Sequence, residues 1–371
     1  MIIGVPKEIK NKEFRVSMTP AGVAELVSRN HNILIEKNAG LGSGFTDASY
    51  ITAGAKIIDQ AQDIYTQSDL IIKVKEPLAS EYEWIKKGQI VFTYFHFASS
   101  ETLTRAMIDR QAICIAYETI QKSDNSLPIL TPMSEVAGRM SIQIAAHYLE
   151  KGNGGSGKLM GGVTGVKPAR VVILGGGVVG TQAAKMAAGL GAEVIIMDIN
   201  LNRLRYLTDI LPANVTCLYP TKSLLEEYLQ QTDVLIGAVL IPGGKAPILA
   251  SKEMIATMPK GSVVIDVAVD QGGCIETCKP TSHEHPIYLV QDVIHYCVPN
   301  IPGAVPITST HALTNASLPY LIELAEKGWK EAAKHSSELQ KGISIVEGKV
   351  TDTMLTNTFQ LSLHKINDLL T

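Results

Sequence analysis

At 371 residues, 46% of them apolar, the chain is long enough for two buried cores rather than one. A formal net charge of -3 and only 5% aromatic residues offer neither a pull on polyanions nor platforms for stacking bases, which argues against nucleic-acid binding. Five cysteines (Cys114, Cys217, Cys274, Cys278, Cys297) are few and odd in number, as expected of reduced thiols in the cytoplasm rather than of a disulfide framework.

The opening MIIGVPKEIK is a short apolar run stopped by Pro6, Lys7 and Glu8, too short for a signal peptide, so export is not expected. Strand-like runs MIIGV, NILIE, DLIIKV, QIVFTYF and AICIAY then alternate with helical patterns such as PAGVAELVSRN. That rhythm belongs to a parallel sheet with crossover helices. In TPMSEVAGRMSIQIAAHYLE, Ala137, Met140, Ile144 and Tyr148 share one helical face after Ser134, a good helix-start residue, which predicts a helix linking two domains. The glycine-rich KGNGGSGKLMGGVTGVKP must be loop. A second series follows in ARVVILGGG, AEVIIMD, TDVLIGAV and GSVVIDVAVD. The uncharged stretch from Val293 to Tyr320 is broken by Pro299, Pro302, Pro306 and Pro319, so it is no membrane span, and it leads into a long helix expected to return to the first domain.

The expected fold is therefore α/β, with two Rossmann-like doubly wound domains joined by long helices and the active site in the interdomain cleft. Residues 1–128 plus 307–371 would form one domain, and 129–306 the other.

Within ARVVILGGGVVGTQAAKMAAGLGAEVIIMDIN, Gly175, Gly177 and Gly180 spell G-x-G-x-x-G between a strand and a helix, and the next strand ends at Asp198. A purely structural glycine turn has the same local spelling, but the strand-turn-helix-strand context with a terminal carboxylate is the dinucleotide fingerprint. The amides of Val178 and Val179 then lie at the positive end of the helix, facing a pyrophosphate. Asp198 would accept from the ribose hydroxyls and repel a 2′-phosphate, so the expected cofactor is NAD rather than NADP. GNGGSGK, ending at Lys158, looks like a P-loop, but Leu159 replaces the magnesium-binding hydroxyl and the flanking elements are wrong. Cys274, Cys278, His283 and His285 match no common zinc spacing, and no metal is expected.

In open parallel sheets ligands sit outside the carboxyl edge. Lys75 ends DLIIKVK, His96 ends QIVFTYFH, Asp270 ends GSVVIDVAVD, and Arg15 follows the first strand in KEIKNKEFR. Arg15 and Lys75 suit a substrate carboxylate and its neighbouring oxo group, while His96 and Asp270 can exchange protons. Each has a bland alternative as a solvated cation, a packing histidine or a structural carboxylate. Lys73 and Asp266 precede two of these candidates on their own strands without an assigned role.

With these residues in view, the whole chain resembles the alanine dehydrogenases, a family shared with the N-terminal part of proton-translocating nicotinamide nucleotide transhydrogenase. The segments carrying the resemblance are GVPKEIKNKEFRVSMTP, IIKVKEP, FTYFHFA, TPMSEVAGRMSIQ, VVILGGGVVG, VVIDVAVDQGGCIET and HYCVPNIPGAVPITST. It implies NAD-dependent, reversible oxidative deamination of L-alanine to pyruvate and ammonium, with Arg15 and Lys75 binding substrate and His96 and Asp270 as the acid/base pair. It also implies cofactor contacts at Ser134, Val178, Val179, Asp198, Arg203, Val239, Leu240, Val267, Ala268, Val269, Asp270, Val298, Pro299, Asn300 and Ile301. A homo-oligomer, a hexamer, is implied too, in the cytoplasm, with a small-molecule substrate and neither nucleic acid nor membrane as partner. The chain departs from the family at Pro220, where a serine usually contacts the adenine side, at Ile301 for the usual methionine, and at Ile307 for a common arginine. Three other readings stand beside this one: the NAD-binding subunit of a transhydrogenase, a lysine- or saccharopine-type dehydrogenase, and an NAD-sensing protein without turnover. The end at Thr371 without membrane segments weighs against the first.

Overall fold

The computed structural model describes residues 1–239, 246–269 and 272–370. In chain order the strands are β1 (Ile2–Val5), β2 (Asn32–Glu36), β3 (Lys56–Ile58), β4 (Leu70–Ile72), β5 (Ile90–Thr93), β6 (Ile113–Ala116), β7 (Arg170–Leu174), β8 (Glu193–Met197), β9 (Val215–Leu218), β10 (Val234–Gly237), β11 (Val263–Asp266), β12 (Ile287–Val290), β13 (Val293–Tyr296), β14 (Ile343–Val346) and β15 (Lys349–Val350). They form two sheets, ordered β15-β14-β6-β5-β4-β1-β2-β3 and β12-β13-β11-β10-β7-β8-β9. The chain divides into two compact units, Met1–Met133 with Val305–Thr371, and Ser134–Ala304.

Both sheets have the same plan. Six parallel strands start in the middle, run outward to one edge, then return to the centre and fill the other side, which is the doubly wound Rossmann order. The order reverses between β1 and β4 in the first unit and between β7 and β10 in the second. Antiparallel strands extend each sheet at one edge, β14 and β15 beside β6, and β12 beside β13.

The central strands are mostly apolar, as strands covered on both faces must be. Along β7, Val171 and Ile173 join Val194 and Ile196 of β8 in one core, whereas Val172 and Leu174 join Ile195, Met197 and Leu235 in the core opposite. In the first unit Ile71, Val91, Cys114 and Ile345 bring four adjacent strands into one cluster with Phe95 and Leu103. Helices begin where a side-chain oxygen can accept an otherwise unpaired amide: Thr19 for Pro20–Ser28, Ser100 for Glu101–Asp109 and Asn200 for Leu201–Ile210.

Three local expectations are corrected. The helix expected to begin at Ser134 spans Leu130–Leu149, so Ser134 is inside it. The long C-terminal helix, Pro306–His335, is broken at Gly328, whose φ of 73° and ψ of 161° no helix accommodates. The strands are also shorter than their apolar runs, so Lys75 and His96 lie in the loops beyond β4 and β5.

Candidate active site

In the first unit the loop from β1 to Pro20–Ser28 carries Arg15, and the loops after β4 and β5 carry Lys75 and His96. All three therefore leave the carboxyl edge around the reversal of strand order, where open α/β sheets bind ligands. Arg15 is 3% exposed. Its Nε and Nη2 donate to the two oxygens of Glu13, at 2.7 and 2.6 Å, and its Nη1 approaches the Met133 sulfur at 3.2 Å. Burial opposes its charge, but the Glu13 pair outweighs burial and holds the guanidinium firmly protonated. Lys75 shares this neighbourhood, and its ammonium is held below the usual lysine value by burial first and then by the charges of Arg15 and Lys10.

His96 has left-handed backbone, with φ 49° and ψ 39°, a conformation that a non-glycine residue keeps only when its surroundings impose it. Its ring stacks on Tyr94, with centroids 5.9 Å apart and planes inclined by 16°. The Tyr94 hydroxyl is tied to the Ile129 carbonyl at 2.7 Å. Burial, reinforced by Lys75, Lys10 and Arg15, pushes the imidazole down to about 3, so it is neutral at physiological pH. The site thus combines a guanidinium that can hold a carboxylate, a lysine that can donate a hydrogen bond, and a neutral nitrogen base.

Three carboxylates absent from the sequence-based reading stand beneath these side chains. Glu8 Oε1 accepts the amides of Val74, at 2.6 Å, and Lys75, at 3.3 Å. Glu13 Oε1 accepts the amide of Arg15 at 3.1 Å as well as its guanidinium. Glu118 accepts the amides of Phe95, at 3.3 Å, and His96, at 2.6 Å. Burial pushes the Glu118 carboxyl up to about 7, against the hydrogen bonds that favour its ionised form. Glu118 closes the run AICIAYET just past β6, so the strand-end rule that selected Lys75 and His96 also points to it. Lys73, 1% exposed, has a structural place between Glu8 at 3.4 Å and Glu81 at 3.0 Å.

In the second unit Gly175 and Gly177 lie in the turn from β7 into the helix Val178–Gly189, and Gly180 in that helix's first turn. Gly175 has φ of 100°, and a Cβ there would lie 2.7 Å from the Ala238 carbonyl oxygen. A Cβ on Gly180 would lie 1.8 Å from the Gly175 carbonyl oxygen. Gly177 differs, since its Cβ would meet nothing within 4 Å. That open side adjoins the helix N-terminus, where Gly177 supplies no side-chain cap for the amides of the first turn. Amides aimed at open space are what a pyrophosphate requires.

Asp198, directly after β8, accepts from the amides of Gly176, at 2.7 Å, and Asn200, at 2.8 Å. Arg203 donates to the Gly176 carbonyl and, at 2.8 Å, to the Thr181 hydroxyl, so it braces the glycine turn. The remaining candidates follow the same sheet edge: Val239 after β10, Val267, Ala268 and Val269 after β11, and Val298, Pro299, Asn300 and Ile301 after β13. Asp266 is fully buried and accepts from Ala268, Cys274 and Ile275 amides at 3.1, 2.8 and 3.2 Å, pinning both sides of the loop that follows β11. Leu240 and Asp270 lie outside the described residues. Lys158, at the end of the P-loop-like run, pairs instead with Asp233 at 2.7 Å. Pro220 precedes Thr221, the cap of Lys222–Leu229, and Ile307 is exposed in the first turn of its helix.

Residues 4–137 match the N-terminal domain, and residues 141–353 the C-terminal domain, described as alanine dehydrogenase/PNT. The chain belongs to the alanine dehydrogenase/PNT family. Within the family, it is 55% identical over 352 residues to a Methanococcus maripaludis protein named alanine dehydrogenase, covering 95% of this chain and 94% of the relative. It is 50% identical over 371 residues to alanine dehydrogenase 2 of Staphylococcus aureus strain USA300, with both chains fully covered. A solved structure of an L-alanine dehydrogenase superposes with a TM-score of 0.94 at 49% identity, over 97% of this chain and 99% of the other. A transhydrogenase from Sinorhizobium meliloti superposes at 0.81 with 25% identity, over 95% of this chain and 99% of the other.

Proposed function

We propose that this family member catalyses NAD-dependent, reversible oxidative deamination: L-alanine, NAD⁺ and water give pyruvate, ammonium, NADH and a proton. The observation that carries the reading is the gathering, at one sheet edge of one unit, of the buried Arg15 guanidinium, the Lys75 amine and a neutral His96 imidazole stacked on Tyr94. The names of the relatives point to the same substrate.

Arg15 holds the substrate carboxylate, its own orientation fixed by Glu13. Lys75 donates to the keto oxygen in the reductive direction and stabilises the charge that grows there. His96 takes up a proton as the carbinolamine forms and returns it as water leaves; Asp270 is proposed as its partner in proton transfer. Bound NAD supplies the hydride acceptor for the substrate α-carbon. The second unit suits it through the open Gly177 face and Asp198, whose carboxylate disfavours a 2′-phosphate. Ser134, Gly175, Val178, Val179, Gly180, Arg203, Val239, Leu240, Val267, Ala268, Val269, Val298, Pro299, Asn300 and Ile301 are proposed as further cofactor contacts. We also read residues 1–128 with 307–371 as the substrate-binding domain and 129–306 as the cofactor domain. The protein is read as a cytoplasmic hexamer, testable by light scattering on the eluting peak and by fractionation of the producing cell. Five cysteines without a disulfide suit a reducing compartment.

The deciding experiment gives purified protein NAD⁺ and L-alanine alone and follows NADH. Appearance of NADH coupled to pyruvate supports the reading; no reduction with alanine, but hydride exchange between two nucleotides, replaces it with the transhydrogenase reading. Asp270→Asn keeps size and hydrogen bonding but cannot take up a proton, so turnover should fall about 10²–10⁴-fold while NADH binding persists.

A further inference from the structure

Beyond β4 and β5 in the first unit, backbone amides that have left the ladder are taken by carboxylates. β4 stops at Ile72, the Lys73 amide still bonds the Phe92 carbonyl at 3.1 Å, and the next two amides go to Glu8. β5 stops at Thr93, and the amides of Phe95 and His96 go to Glu118. Glu13 takes the amide of Arg15. The three residues proposed to face the substrate are thus each gripped at their own amide by a different glutamate.

We propose that Glu8, Glu13 and Glu118 are positioning residues, each fixing the backbone from which one substrate-facing side chain projects. This rests on the roles proposed above for Arg15, Lys75 and His96. The physical need is clearest at His96. Its left-handed backbone is unfavourable for a residue with a Cβ, and two successive amides turned towards one carboxylate compensate for it. A carboxylate suits this place because it accepts both amides without donating, whereas a glutamine would set an NH₂ group against one of them. Burial lifts the Glu118 carboxyl to about 7, so the bonds from these amides offset only part of the desolvation cost and the fully ionised acceptor is present above that pH. Glu8 does the same for the loop holding Lys75, and its attachment to Lys73 anchors that carboxylate in turn.

The test is a double-mutant cycle on Glu118 and His96 in the full-length enzyme, with active sites counted by NADH fluorescence titration. Glu118→Gln should lower kcat for pyruvate amination about 10–100-fold per NADH site, with KM for pyruvate changed less than about threefold, as expected of a displaced base. Glu118→Asp, one methylene short, should be no better than Glu118→Gln. Added to His96→Ala, Glu118→Gln should cost little more, since a residue acting through His96 has nothing left to position. Full additivity in the double mutant would overturn the proposal while leaving His96 catalytic. Near-normal kcat in His96→Ala would overturn the His96 role itself, and with it the positioning role of Glu118. In parallel, Glu8→Gln should raise KM for pyruvate through Lys75, and an unchanged KM would remove Glu8 from the set.

Discussion

Replacing Arg15 by alanine should do two separable things, and the Glu13 pair sets the size of one of them. The side chains of Arg15 and Glu13 are 2% and 0% exposed, joined at both carboxylate oxygens. Arg15→Ala removes the cation but leaves the Glu13 carboxylate held in place by the amide of residue 15. Taking one partner from a buried pair costs about 3–5 kcal/mol, chiefly because the charge that remains has lost that compensation. Arg15→Ala should therefore lose about that much stability in urea unfolding at fixed protein concentration, besides raising KM for alanine and pyruvate. The double variant Arg15→Ala with Glu13→Gln also neutralises the buried carboxylate and should recover about 2 kcal/mol or more, without recovering KM. A single variant within about 1 kcal/mol of the parent, or a double variant no more stable than the single, would refute the reasoning.

Gly180→Ala must push the Gly175 carbonyl aside and should lower stability by about 1–3 kcal/mol, whereas Gly177→Ala fills open space and should leave the melting temperature alone while weakening NADH at least about tenfold; equal effects in scanning fluorimetry and titration would contradict the assignment of the open face. Asp198→Ser should raise kcat/KM for NADP relative to NAD, and an unmodified protein that already uses both equally would deny Asp198 its selecting role. The folded His96 value of about 3 lies below the unfolded 6.5, so the stability gained from its neutral ring is complete above pH 6.5 and lost as pH falls towards 3, by up to about 1.4 kcal/mol per pH unit. His96→Gln should flatten that decline between pH 6.5 and 4.5, and parallel urea-midpoint curves for the two proteins would show that the ring is not held neutral.

The central strands could be read from the sequence because they are buried on both faces and spell continuous apolar runs, as RVVIL and EVIIM do. β9 and β12 escaped because they are edge strands with part-exposed patterns, β15 because two residues leave almost no periodic signal, and the four-residue β14 because it follows directly on the helix Ser337–Gly342. The glycine turn and Asp198 were legible because a dinucleotide imposes backbone constraints that only certain residues meet. The grip of Glu8 on Val74 and of Glu118 on His96 was not, since hydrogen bonds across 66 and 22 residues have no local spelling. The excess length assigned to β4 and β5 has a local origin: the buried Val74 continues the pattern of IIKVK past Ile72, and Tyr94 and Phe95 continue that of VFTYFH past Thr93, after the ladders have ended.

The place of β14 constrains how the protein is made. The second unit, Ser134–Ala304, is a continuous stretch of chain that can fold as it leaves the ribosome. The first unit cannot finish, because β6 pairs on one side with β14, and Ile343 emerges long after its partner Ile115. At about 5–20 residues per second the nascent sheet carries an open edge for roughly 10–50 s. During that interval the exposed ladder of β6, with buried-type residues ICIA, is a template for pairing with another nascent chain. Truncation before Ile343 would make that exposure permanent, so shortened chains should depend on chaperones even though their dinucleotide unit is intact.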